Sequence, residues 1–242
     1  MLAVVMSPVG KAGKTMTALA LCRAAALAGK RSLAVELDFS PGSFRALFDM
    51  EKGGGVVAAA RSPAALSSLA SPSGLGFDVL PGGFPEEDEM VAGQPLLNLL
   101  AGACGEYDLV VADTAGKLSP SSVDAARRAD LVLVVVPGDR GEEGIRRTYI
   151  WADYALVREV IFPGRSALVL NRVPRKLMWL FRETLGSRLP LAAVLPELKA
   201  PAVADGRLAR KLMPVLGLKE LRTPGNSVFS VLRKRWFARG LA

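Results

Sequence analysis

A chain of 242 residues, half of them hydrophobic but only 6% aromatic, suits one large α/β domain whose core rests on Val, Leu and Ala. It has no histidine, which excludes Ser–His and Cys–His pairs and imidazole metal sites. The charge of +8, weighted toward the last 80 or so residues, suits either an anionic partner or simply a soluble basic surface.

In chain order, seven short apolar runs read as strands: Leu2–Met6, Leu33–Leu37, Phe77–Leu80, Leu109–Ala112, Leu131–Val136, Ala167–Leu170 and Leu191–Val194. Most lack alternation, as expected of strands buried on both faces. Helical stretches lie between them at Lys14–Ala28, Pro95–Gly105, Ser121–Ala129, Glu142–Glu159, Arg175–Leu185 and Val203–Leu212. Alternation of the two predicts parallel βαβ units. Residues 51–76, rich in Ala, Ser, Gly and Pro, read as short helices and loops, and Pro81–Glu89 as a loop. No apolar run reaches the roughly 18–20 residues of a membrane span, and no signal-peptide pattern precedes the first strand. Cys22 and Cys104 lack metal-ligand spacing and read as small buried thiols of a cytosolic fold.

The first strand runs into LAVVMSPVGKAGKT, residues 2–15, followed at once by a helix. Strand, glycine-bearing loop, Gly-Lys-Thr and helix is the context of a phosphate-binding loop. Successive amides can cradle phosphate oxygens, and the helix adds its positive end. Gly10, Lys11, Ala12, Gly13, Lys14, Thr15 and Met16 form the candidate cradle. Lys14 is placed to bridge the β- and γ-phosphates, and Thr15 to coordinate Mg²⁺. The strict pattern has Gly at position 8, where this chain has Pro8.

A metal-positioning acid belongs at the end of a neighbouring strand. Apolar residues run straight into Asp113, the candidate, with Thr114, Ala115 and Gly116 as a loop able to sense the γ-phosphate. Glu36 and Asp38 are two apart at another strand end and leave the same face. Asp38 is the candidate for orienting the attacking water and Glu36 for a further metal contact; Asp38 also suits a plain turn or helix-capping role. Asn171 and Arg172 follow a later strand, where the Asn amide can pair with an adenine edge. Pro196 and Glu197, after the last strand, can complete a base pocket. At both places a purely structural role is equally open.

Gly-Lys-Thr at 13–15, Glu-x-Asp at 36–38, Asp-Thr at 113–114, Val-Pro at 136–137 and Asn-Arg at 171–172 together resemble the MinD/ParA superfamily of ATPases with a deviant Walker A motif. Ser7-Pro8, the LDFSPG run at 37–42 and the LPGGFPEE run at 80–87 are most similar to its CpaE/TadZ branch, associated with localising and assembling pili and secretion systems. The resemblance implies a three-layer P-loop fold with a mostly parallel, about seven-stranded sheet over residues 1–223. It also implies ATP/ADP and Mg²⁺ as ligands and a nucleotide-dependent homodimer acting as a slow switch. The family pattern Lys-Gly-Gly-x-Gly-Lys-Thr has its signature lysine where this chain has Val9, and its second glycine where this chain has Lys11. Lys11 either substitutes as a catalytic lysine or projects into solvent.

Residues 224–242 form a tail in which Phe229, Leu232 and Trp236 share a helical stripe, with Arg233, Lys234, Arg235 and Arg239 around it. It suits an anionic membrane surface or packing on protein. The expected location is cytoplasmic, with peripheral attachment at the membrane through this tail. Competing readings are a ParA-like DNA partition ATPase, using the basic clusters Arg172/Arg175/Lys176 and Arg207/Arg210/Lys211, and a degenerate nucleotide-binding scaffold with little hydrolysis. An iron–sulfur relative is disfavoured by the placing of the two cysteines.

Overall fold

The computed structural model describes residues 1–39, 42–50, 54–174, 188–197 and 206–219. Among them, eight strands form one sheet: β1 (Leu2–Met6), β2 (Ser32–Leu37), β3 (Ser71–Pro72), β4 (Asp78–Leu80), β5 (Leu109–Thr114), β6 (Leu131–Pro137), β7 (Ser166–Val173) and β8 (Leu191–Pro196). Their order is β3-β4-β2-β5-β1-β6-β7-β8. All pairings are parallel except β3 with β4. The strand beyond the seven expected is β3, two residues long and antiparallel at the sheet edge. Two residues carry no period to read, and a proline is tolerated only where no ladder donor is needed.

The helices are α1 (Lys14–Leu27), α2 (Phe44–Phe48), α3 (Val56–Arg61), α4 (Leu66–Leu69), α5 (Asp88–Val91), α6 (Gln94–Glu106), α7 (Pro120–Arg128), α8 (Gly141–Val157) and α9 (Arg207–Leu212). The expected loop at residues 81–89 thus contains the start of α5, and a 3-10 turn at Pro85–Glu87. The expected helix at Arg175–Leu185 and the tail at 227–242 lie outside the described residues. No helix among the described residues is long and apolar enough to cross a membrane.

Strand side chains alternate between two cores. Leu2, Val4 and Met6 of β1 join Val110 and Ala112 of β5 on the face covered by α3, α6, α7 and α8. Ala3 and Val5 join Leu109 and Val111 on the face covered by α1, α9 and Phe44. The α1 sequence is apolar around its whole circumference because the sheet lies on one side and α9 packs over it. Cys22 is buried there, whereas Cys104 is only half-buried, less than its expected burial.

β1 is central: its crossover through α1 leads to β2 on one side, while β6 to β8 lie on the other. The chain order reverses beside β1, and in open α/β sheets ligands bind outside the strand C-terminal ends at such a point.

Candidate functional site

Every site residue expected from the sequence lies at or just beyond the C-terminal end of a strand, or in the first turn of α1. Beyond β1, Ser7 Oγ accepts from the Val9 amide at 3.2 Å and turns the chain. The loop passes through Lys11 at φ 58° and Gly13 at φ 94°, and α1 starts at Lys14. Gly13 is required twice over. Its φ is left-handed, and a Cβ there would lie 2.1 Å from Asn171 Nδ2. Gly10 is different: a Cβ there would meet nothing within 4 Å, so the space beside it is open. Ala12 is buried, Lys11 is exposed, and Met16 is half-buried against the α1-side core.

Lys14 is buried at 8% exposure, and a Cβ built at Gly116 would lie 3.8 Å from its Nζ. The lysine therefore reaches from the loop after β1 to the loop after β5. Asp113, on the α1 face of β5, is 1% exposed, and neither carboxylate oxygen has a hydrogen-bond partner among the described residues. Burial pushes its carboxyl up to about 7. The Thr15 hydroxyl and the Lys14 charge act to lower it, while Glu36 and Asp38 push it further up. The Thr15 hydroxyl is thus near the carboxylate but outside hydrogen-bonding geometry. An unpaired buried carboxylate beside a Lys and a Thr is an unusual expense unless something cationic joins it. Thr114, next in the strand, donates to the Val5 carbonyl at 2.9 Å and ties β5 to β1.

Glu36 pairs in register with Asp113 across β2 and β5. Its oxygens are already engaged. Oε1 accepts from the amides of Ser43 at 2.5 Å and Phe44 at 3.0 Å and from the Ser43 hydroxyl at 3.2 Å; Oε2 accepts from the Gly82 amide at 2.9 Å. Burial raises its pKa above the ordinary carboxylate range against these hydrogen bonds. Glu36 therefore fastens the loops after β2 and β4 to the sheet, where a metal contact was expected. Gly42 and Gly82 admit it: a Cβ at Gly42 would lie 2.3 Å from Glu36 Oε2. Asp38, one turn of the chain further out, is half-buried and close enough for its charge to act on Asp113. Among the described residues, no three carboxylate or thiol groups gather as a cage for a metal ion. Asp113 and Thr15 together instead offer the sparse donor set that suits a hard cation completing its shell from phosphate and water.

On the other side, Asn171 lies inside β7, and its Nδ2 donates to the Ala12 carbonyl at 2.9 Å. Among the described residues, no hydrogen bond reaches its Oδ1. Arg172 Nη2 donates to the Lys11 carbonyl at 2.6 Å and pairs with Asp139 Oδ1 at 3.0 Å. Pro196 is buried at the end of β8, in register with Val173, and the Glu197 amide donates to the Val173 carbonyl at 3.1 Å. Asp139 is a residue that sequence reasoning missed. The Val-Pro-Gly-Asp run that ends β6 and enters the turn beyond it is its local signal, and its partner is 33 residues away.

The site has the parts of a phosphate cradle with an acid facing it. The model of the CobQ/CobB/MinD/ParA nucleotide-binding domain matches residues 3–147. No curated protein matches the chain significantly in sequence. Several solved structures share its fold. The chain is similar to the ParA family ATPase from Chlorobium tepidum TLS (16% identity, 89% of this chain and 92% of that one, TM-score 0.67). It is also similar to the MinC:MinD cell division protein complex from Aquifex aeolicus (14%, 92% and 98%, 0.69). A third is cobyrinic acid a,c-diamide synthase from Mycobacterium smegmatis with bound ATP analog and magnesium (19%, 89% and 93%, 0.69).

Proposed function

Since the chain belongs to the CobQ/CobB/MinD/ParA nucleotide-binding domain family, we propose that it binds ATP with magnesium at the mouth of the sheet and hydrolyses it slowly as a molecular switch. The observation that carries this reading is Asp113: a buried carboxylate without a hydrogen-bond partner among the described residues, beside Lys14 and Thr15 of a loop shaped for phosphate.

The amides of residues 10–16 receive the phosphates, and Lys14 supplies their counter-charge. Asp113 and Thr15 would hold a magnesium ion, which would supply neutralisation of the phosphate charge. Asp38 orients the attacking water. Asn171, whose Nδ2 donates to the Ala12 carbonyl, offers its Oδ1 to the base as an acceptor. An acceptor suits the exocyclic amine of adenine and disfavours the guanine carbonyl. Pro196 closes the base pocket. The loops carrying Asp38 and Thr114–Gly116 respond when the γ-phosphate leaves.

Two subunits close over their nucleotides in a homodimer, and the switch positions a pilus, secretion or related cell-surface assembly, as in the CpaE/TadZ branch. The protein acts in the cytoplasm, with the basic amphipathic tail at 227–242 as its contact to an anionic membrane surface. Gel filtration with ADP and with a nonhydrolysable ATP analogue, alongside phosphate release, tests the switch. A dimer confined to the ATP state supports it. A constant monomer that binds without turnover supports the second reading, a nucleotide-binding scaffold, which Val9 in place of the signature lysine favours.

A further inference from the structure

The phosphate loop contains a residue in a conformation its side chain resists. Lys11 lies at φ 58°, in the left-handed region that favours glycine. Its position corresponds to a glycine in the pattern the loop resembles. Its own carbonyl is bonded from a distant strand, by Arg172 Nη2 at 2.6 Å, beside the Asn171 bond to the next carbonyl, that of Ala12.

Arg172 is itself at φ 56°. The same Nη2 is 3.0 Å from Asp139 Oδ1 in the turn after β6, with both side chains about two-thirds shielded, at 31% and 28% exposure. That turn is pressed against the end of β7, since a Cβ on Gly138 would lie 2.8 Å from Val173 Cγ2 and 3.1 Å from the Asn171 carbonyl. Asp139 thus holds the guanidinium, and the guanidinium holds the loop. A hydrogen bond from a charged donor to a carbonyl is stronger than a neutral one and can offset a strained residue.

We propose that Arg172, anchored by Asp139, is a positioning residue that keeps the phosphate loop in its receptive turn, replacing the conformational freedom that a glycine at position 11 would provide. The proposal rests on the nucleotide-binding reading and adds to it a dependence that ties together positions 11, 139 and 172. A loop built around glycine relaxes into the cradle unaided; this one needs the latch.

The experiment is a double-mutant cycle read as ATP affinity in the presence of magnesium. In the parent, Arg172→Ala weakens binding about tenfold, Asp139→Asn about threefold, and Arg172→Lys recovers part of the loss. In a Lys11→Gly background, Arg172→Ala weakens binding by less than about threefold, because the turn no longer opposes its residue. Turnover at saturating ATP changes less than affinity throughout. Equal losses in the two backgrounds mean that Arg172 touches the nucleotide directly, and overturn the latch while leaving the nucleotide site intact. No loss in either background does the same. A parent chain that binds no nucleotide overturns both the site and the latch.

Discussion

Replacing Glu36 with alanine removes the acceptor for three backbone amides at once. Two of those bonds, to Phe44 and to Gly82, are buried. A buried amide left unpaired costs about 1–3 kcal/mol, so the two together cost about 2–6 kcal/mol. Part of this is offset, because burial penalises the Glu36 carboxylate in the parent. The net expected loss is about 2–4 kcal/mol, a large part of the 5–15 kcal/mol that typically holds a domain together. Glu36→Gln discriminates the cause. It keeps the shape, but one end of the amide must present a donor to a backbone donor, so it should cost about 1–3 kcal/mol. Urea unfolding at neutral pH gives the midpoint and slope, and an unchanged slope makes the midpoint shift a stability change. Hydrogen exchange at the amides of Phe44 and Gly82 should quicken in both variants. If Glu36→Ala unfolds within about 0.5 kcal/mol of the parent, or Glu36→Gln matches it, the carboxylate does not fasten these loops.

Asp113 behaves in the opposite sense in the nucleotide-free protein. Its pKa is raised from 3.8 to about 7, so the folded state holds the proton more tightly than the unfolded one. Parent stability therefore falls as pH rises through that window, and Asp113→Asn should be more stable by on the order of 3–4 kcal/mol above pH 7, with the gain gone below about pH 4. Thermal unfolding across pH checks this; a gain that does not vary with pH would contradict it. Gly13→Ala forces a Cβ against Asn171 at a left-handed φ and should destabilise by about 2 kcal/mol or more, with loss of ATP binding. Asp38→Ala should still bind ATP but slow phosphate release by about 10²-fold or more, prolonging the bound state; unchanged turnover would remove Asp38 from the reaction.

Much of this architecture was legible because parallel strands buried on both faces announce themselves as apolar runs. β1 was read to the residue and the other expected strands to within a few, while the two-residue β3 was not read. β5 runs two residues and β7 three beyond the apolar stretch at their C-terminal ends, since backbone pairing continues through Asp113 and Thr114 in one and Asn171 and Val173 in the other after hydrophobicity has stopped. Polar residues at strand ends, where the proposed site lies, hide the strand. The loop at 8–15 and the acid at Asp113 were visible because their pattern is local. The role of Glu36 was not: its partners come from residues 43, 44 and 82, and a contact spanning 46 residues leaves no trace in spacing. Asp139 was missed for the same reason, as its importance depends on Arg172 reaching it from β7.

The central claim is that the turn opening α1 holds a nucleotide through Lys14. Calorimetric titration of ATP with magnesium into the parent and into Lys14→Ala, each shown to be folded, measures it directly. The account requires one saturable site per chain and at least about a hundredfold loss of affinity in the variant; equal affinity in the two proteins would contradict it.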